Sequence, residues 1–149
     1  MKKIFLTLML IVPAFLANAQ GPIKQWNDQL DEFIIVFNNV DSSLDKLNSE
    51  KGLNTYTFTY FEPESGNVVK ETTVYDKNGL DLVDDQMLSS AKNTALKHLA
   101  NSARSNSRIN TIVNEFDKRN TNIVILYTSP DSSAVKRILI APSEIISAQ

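Results

Sequence analysis

Seven large apolar residues set the first constraint on this chain. Trp26, Leu30, Phe33, Phe37, Val40, Leu44 and Leu47 follow one another at intervals of four and three residues. With about 3.6 residues per turn, that spacing keeps all seven on one stripe. It predicts a single long helix with one buried side, which needs a second layer to cover it. Asp28, Asp31 and Glu32 lie near its start, where the helix dipole favours negative charge. Gly52 is a natural stop.

The second layer reads as strands. Thr55 to Tyr60 alternates strictly, with Tyr56, Phe58 and Tyr60 on one face and Thr55, Thr57 and Thr59 on the other. The threonines suit the exposed side of a half-buried strand, and the aromatics suit its core side. The turn Glu62–Gly66 closes a hairpin with a strand over Val68–Tyr75, and Asp76–Gly79 is a second turn. Asp81 then caps a predicted helix to about Arg104, with the stripe Val83, Met87, Leu88, Ala91, Ala95 and Leu99. A shorter helix over 108–118 carries Ile109, Ile112, Val113 and Phe116. Strands Ile123–Tyr127 and Val135–Ile140 form a second hairpin around Ser129–Ser133. Pro142 and Ser143 open a last helical turn.

The expected fold is therefore α+β, in the order α-ββ-αα-ββ. It has a four-stranded, mainly antiparallel sheet of two hairpins. The long N-terminal helix and two further helices pack on one of its faces. In architecture alone this resembles cystatin-like and cone-shaped NTF2-like folds, a likeness that implies no function.

Residues 1–19 stand outside that domain. Lys2 and Lys3 precede an apolar run from Ile4 to Leu16, and Ala17-Asn18-Ala19 is a small-x-small sequence. This is the pattern of a cleavable signal peptide, cut after Ala19. The run is thirteen residues long and interrupted by Pro13, short of the roughly 20 a spanning helix needs. The expectation is a single domain over 20–149, exported to a periplasm or the medium, with no stable membrane span. The short Lys-Lys start suggests a bacterial source. Cleavage lowers Lys+Arg from 15 to 13 against 17 Asp+Glu, so the formal charge falls from −2 to −4. An acidic chain is a poor nucleic-acid partner. With no cysteine, thiol catalysis, disulfides and thiolate metal sites are excluded. An exported domain of this kind relies on its core alone.

Candidate chemistry is sparse. His98 is the only histidine and sits on the flank of a helical stripe, where a half-buried packing role is expected. Asp76, Asn78, Asp81, Asp84 and Asp85 gather five oxygen side chains, a weak calcium candidate. The same residues are explained by a DKNG turn and a capped helix. Ser129, Asp131, Ser132 and Ser133 lack the base and motif context of a serine nucleophile. Asp28/Glu32 and Asp41/Asp45 are i,i+4 carboxylate pairs that read as solvated helix faces. No cofactor is implied. Tyr60-x-x-Pro63-Glu64-Ser65-x-x-Val68-x-Lys70 is similar to Tyr127-x-x-Pro130-Asp131-Ser132-x-x-Val135-x-Arg137, at an offset of 67. Either a duplicated unit or two hairpins with similar turns would produce this match.

The stronger signal is apolar surplus. Phe33 to Phe37 is apolar around a whole helical turn, so Ile35 and Val36 point away from whatever Phe33 and Phe37 bury. Strand Ile123–Tyr127 is apolar on both faces, which leaves Val124 and Leu126 on the far side. Surplus of this kind marks partner surfaces. The expectation is a non-catalytic binding or protein-interaction module. It would self-associate as a homo-oligomer or dock an envelope protein through Ile35/Val36 or Val124/Leu126. The alternative is a small exported hydrolase that uses paired carboxylates.

Overall fold

The computed structural model describes residues 21–149. The signal-peptide reading of 1–19 lies outside the described residues. The chain divides into two compact units, Met1–Glu32 and Phe33–Gln149. In the first, residues 21–32 are helical, and Lys24 pairs with Asp28 one turn away at 2.8 Å.

In the second unit residues 33–38 are helical (α1), and the helix then lapses. The Asn39 and Val40 amides donate to the carbonyls three residues back, Val36 and Phe37, at 3.1 Å each. Helix α2 (Asp41–Glu50) follows. The single helix expected over Trp26–Leu47 is thus two. Asn38 and Asn39 have short amide side chains that compete with the helical ladder, so the break falls where propensity is weakest. Phe33, Phe37, Val40 and Leu44 all stay buried across it, and Leu47 does not.

Strands β1 (Thr55–Glu62) and β2 (Asn67–Val74) pair antiparallel, as do β3 (Ile123–Thr128) and β4 (Val135–Ile140). Between the hairpins β2 and β3 run parallel, in the order β1-β2-β3-β4. The sheet is mixed rather than mainly antiparallel. The cause is the crossover between β2 and β3. It holds a 3-10 turn (Gly79–Leu82), α3 (Asp85–Ser105) and α4 (Ser107–Arg119), and so returns the chain to the end of the sheet where β2 began. A short α5 (Pro142–Ser147) closes the chain. It begins with proline, and Glu144 Oε2 accepts from the Ala141 amide at 2.8 Å.

Caps set the helix ends. Asp84, not Asp81, caps α3, its carboxylate accepting from the Met87 amide at 2.8 Å. Asp81 falls in the 3-10 turn before it. Gly79 is required there by contact: a Cβ would come within 2.6 Å of Val74 Cγ1. Asn106, in extended conformation, ends α3 and caps α4.

Cross-strand partners share a face, so pairing and burial sort the side chains. Val68, Lys70, Thr72 and Val74 of β2 are buried toward the helices, with Ile123, Ile125 and Tyr127 of β3 beside them. Thr55, Thr57 and Thr59 of β1 pair with Val74, Thr72 and Lys70 and share that face. The expectation for β1 is therefore reversed. Its threonines look inward, and Tyr56 and Phe58 are 59% and 43% exposed. Period-2 alternation defines two faces but not which one is covered. Two inward polar groups on β2, Lys70 and Thr72, decide it: Thr57 Oγ1 meets Thr72 Oγ1 at 2.9 Å, and Lys70 needs the hydroxyl of Thr59.

The internal similarity at offset 67 has a matching geometry and an inverted environment. Tyr60 pairs with Val69, and Tyr127 with Lys136, so the hairpin registers coincide at that offset. The helix breaks at 39–40 and at Asn106 coincide as well. Yet Tyr60 and Arg137 face outward, whereas Tyr127 and Lys70 face the helices. A one-residue difference in phase turns every side chain over. The matched residues share turn chemistry, not equivalent places in a core.

Candidate functional site

Within the second unit no described helix lies on the outer face of the sheet, and the side chains of that face form a grid of three rows. One row reads Tyr56, Thr73, Thr128, Val135 from β1 to β4. The next is Phe58, Glu71, Leu126, Arg137, and the last is Tyr60, Val69, Val124, Leu139. The β1 column is an aromatic ladder. Phe58 and Tyr60 stack at 5.3 Å between ring centroids, and Tyr56 lies 6.2 Å from Phe58. On the opposite edge Val135 and Leu139 are 53% and 41% exposed. Two charges interrupt the apolar field. Glu71 accepts a hydrogen bond from the Tyr60 hydroxyl at 3.1 Å. Partial burial and that carboxylate push the Tyr60 phenol up to about 12. Arg137 is exposed.

The inner face holds a buried polar cluster that the sequence reading passed over. Lys70 has no exposed surface, and its ammonium donates to the Asp41 carboxylate. It also donates to Thr59 Oγ1 at 2.9 Å and to Asn38 Oδ1 at 3.4 Å, and it lies 4.5 Å from the centre of the Phe37 ring. Burial pulls the Lys70 amine below its ordinary value, and Asp41, with Asp45 farther off, pulls it back up. Nearby, the Tyr127 hydroxyl donates to Asn48 Oδ1 at 3.1 Å. Burial raises Tyr127 to about 12. The cluster joins α1 and α2 to the sheet. Its amine is fully engaged and closed to solvent, so its chemistry is that of a pin rather than a catalyst. The only sequence signal was an inward β2 position filled by lysine, between Val68 and Thr72. Asp41 therefore leaves the solvated face expected for Asp41/Asp45, while Asp45 stays exposed.

The four residues expected at a partner surface do not form one patch. Val124 and Leu126 belong to the outer grid, Val124 buried and Leu126 half-buried. Ile35 is 66% exposed and Val36 half-buried, both on the helical side of the sheet. The larger exposed apolar groups of the grid, Tyr56, Phe58, Val135 and Leu139, were not singled out. A Thr-aromatic alternation that reads equally well in both orientations hid the first two.

The calcium candidates are spread over a turn and a cap. Asp76 Oδ2 accepts from the Asn54 amide at 2.5 Å, and Asn78 takes left-handed backbone. Asp84 caps α3, Asp85 sits in its first turn, and Lys51 lies 3.7 Å from Asp84. Among the described residues no three acidic or imidazole groups converge around a cation position. An open cleft of about 490 Å³ lies between 74–81 and the β3–β4 turn. In that turn Ser129 and Ser133 hydroxyls both donate to Asp131 Oδ1 at 2.7 Å, holding its carboxyl at about 2. A carboxylate held that low is too weak a base to take a proton from either hydroxyl. His98 is half-buried on α3 beside a shallow depression with Ser43, Thr94, Lys97 and Asn101. No family model, curated protein or solved structure matches the chain.

Proposed function

We propose that this protein is an exported, non-catalytic interaction module whose working surface is the outer face of its sheet. One observation carries the reading: Tyr56, Phe58, Val135 and Leu139 are exposed on the face of the sheet turned away from the described helices of the same unit. Exposed apolar patches with polar interruptions favour a partner surface. The export half rests on the order of charge, apolar run and small residues in 1–19.

The hydrolase alternative is less well supported. A general acid needs a carboxyl held above its ordinary value. Among the described residues, every carboxylate with a resolved shift, namely Asp84, Glu115, Asp131 and Glu144, is shifted down. Amide caps, lysine and arginine partners and serine hydroxyls hold them there.

Hydroxyl-radical footprinting tests the surface. Tyr56 and Phe58 should be protected in the native extract relative to dilute purified protein, with Ile35 reacting equally in both. Equal reactivity of all three would discard the proposed surface. N-terminal sequencing of exported material should begin at Gln20.

A further inference from the structure

We propose that the occupant of the outer face is a second copy of this chain, packed sheet to sheet. The twofold axis would run along the strands between β2 and β3. This rests on the reading of that face as the working surface. Such an axis lays β1 of one copy over β4 of the other, and β2 over β3, while keeping each row at its own height. Tyr56 then meets the second copy's Val135 and Tyr60 meets its Leu139, around a centre where Val69 and Val124, each 3% exposed, add little contact area. Thr73 meets its Thr128. Leu126 lies along the aliphatic stem of the second copy's Glu71, next to its Leu126.

The charges favour this occupant over an unrelated protein. Glu71 and Arg137 sit in the same row, two strands apart. The axis brings the second copy's Arg137 over Phe58, the neighbour of Glu71 on β1. The guanidinium there reaches both the ring face and the Glu71 carboxylate. Twofold symmetry repeats the contact on the other side. Within one copy Arg137 has no ion-pair partner among the described residues, and Glu71 accepts only from Tyr60. The face is complementary to itself in charge.

Four strands about 4.8 Å apart and about six residues long present roughly 19 × 20 Å. With side-chain relief, two such faces bury on the order of 1,000 Å², the lower end for a specific interface. The expected dimer is accordingly weak and populated only at high protein concentration.

Sedimentation of the purified protein from 1 μM to 1 mM provides the test. The wild type should shift from monomer to dimer. Leu139→Lys and Arg137→Glu should each weaken the dimer at least tenfold with unchanged thermal melting. Adding Glu71→Arg to Arg137→Glu should restore most of the loss, and Ile35→Asp should change nothing. Since the chain lacks cysteine, a Tyr56→Cys, Val135→Cys variant should be joined into a covalent dimer by a short bis-maleimide that spans the roughly 10 Å between packed sheets, independently of any charge change. A wild type that stays monomeric at 1 mM overturns the second-copy proposal. A dimer indifferent to both Leu139→Lys and Arg137→Glu overturns it equally. If protection of Tyr56 and Phe58 in the extract persists in either case, the interaction reading survives with a different occupant.

Discussion

Lys70 shows how a single residue can dominate the inner face without taking part in chemistry. Its ammonium is fully enclosed, whereas the Asp41 side chain keeps a third of its surface in water. The two ends of the pair are therefore unequal. Lys70→Met removes the buried charge and leaves Asp41 able to hydrate, so the expected cost is about 1 kcal/mol or less. Asp41→Asn leaves the buried ammonium without its counter-ion and should cost about 3–5 kcal/mol near neutral pH. Sign follows from the direction of the lysine shift. Burial holds the folded amine below its unfolded value of 10.5, so between the two values the unfolded chain binds more protons. Stability then rises with pH through that window, and losing Asp41 widens it downward. The Asp41→Asn deficit should shrink as pH rises toward 10.5. Urea unfolding at several pH values measures both effects, and a larger loss for Lys70→Met than for Asp41→Asn would contradict the account.

Elements were legible where two independent signals agreed. Strand β4 was read to the residue and α4 to within one, because apolar spacing and flanking turn residues point the same way. The interhelical break at Asn39–Val40 was not legible, since the apolar stripe runs through it unbroken and only two asparagines mark it. The parallel β2–β3 pairing was obscured for another reason: strand patterns specify faces, while direction follows from the crossover. The two faces of β1 were distinguishable but not assignable, because the deciding partner, Lys70, lies on a different strand. Caps carry measurable weight at this scale. Asn106 accepts from the Arg108 amide at 3.0 Å where α3 gives way to α4. Asn106→Ala should cost about 1 kcal/mol in chemical denaturation. The β3–β4 turn holds Ser132 at a φ of 57°. Ser132→Gly relieves that backbone and should raise stability by up to about 1 kcal/mol, provided the Asp131 contacts persist. A loss there would mean that the turn depends on the serine side chain.

The two faces of the one mixed sheet differ in kind. The inner face buries the Lys70 and Tyr127 networks, and among the described residues no buried side-chain polar atom lacks a partner. The outer face keeps its aromatic ladder open. That division predicts an unusual response to alkali. Lys70, held low, contributes stability that grows as pH rises toward 10.5. Tyr60 and Tyr127, raised from 10.0 to about 12, act in the opposite sense. Between those values the unfolded chain has lost the phenolic protons and the folded chain keeps them, so stability falls as pH rises. These three groups together place their maximum near pH 10. Tyr127 is 1% exposed, so its two-unit shift corresponds to about 2–3 kcal/mol lost between pH 10 and 12. Tyr60, only half-buried, contributes less because water screens it. Tyr127→Phe should cost about 1–2 kcal/mol at pH 8, where it leaves Asn48 Oδ1 without its donor. It should then flatten the alkaline limb, so that the variant draws level with or overtakes the wild type by pH 12. Denaturant midpoints at pH 8, 10 and 12 decide the point. Parallel curves for the two proteins would show that Tyr127 ionises in the native state without cost, and that the inner face is open to water at high pH.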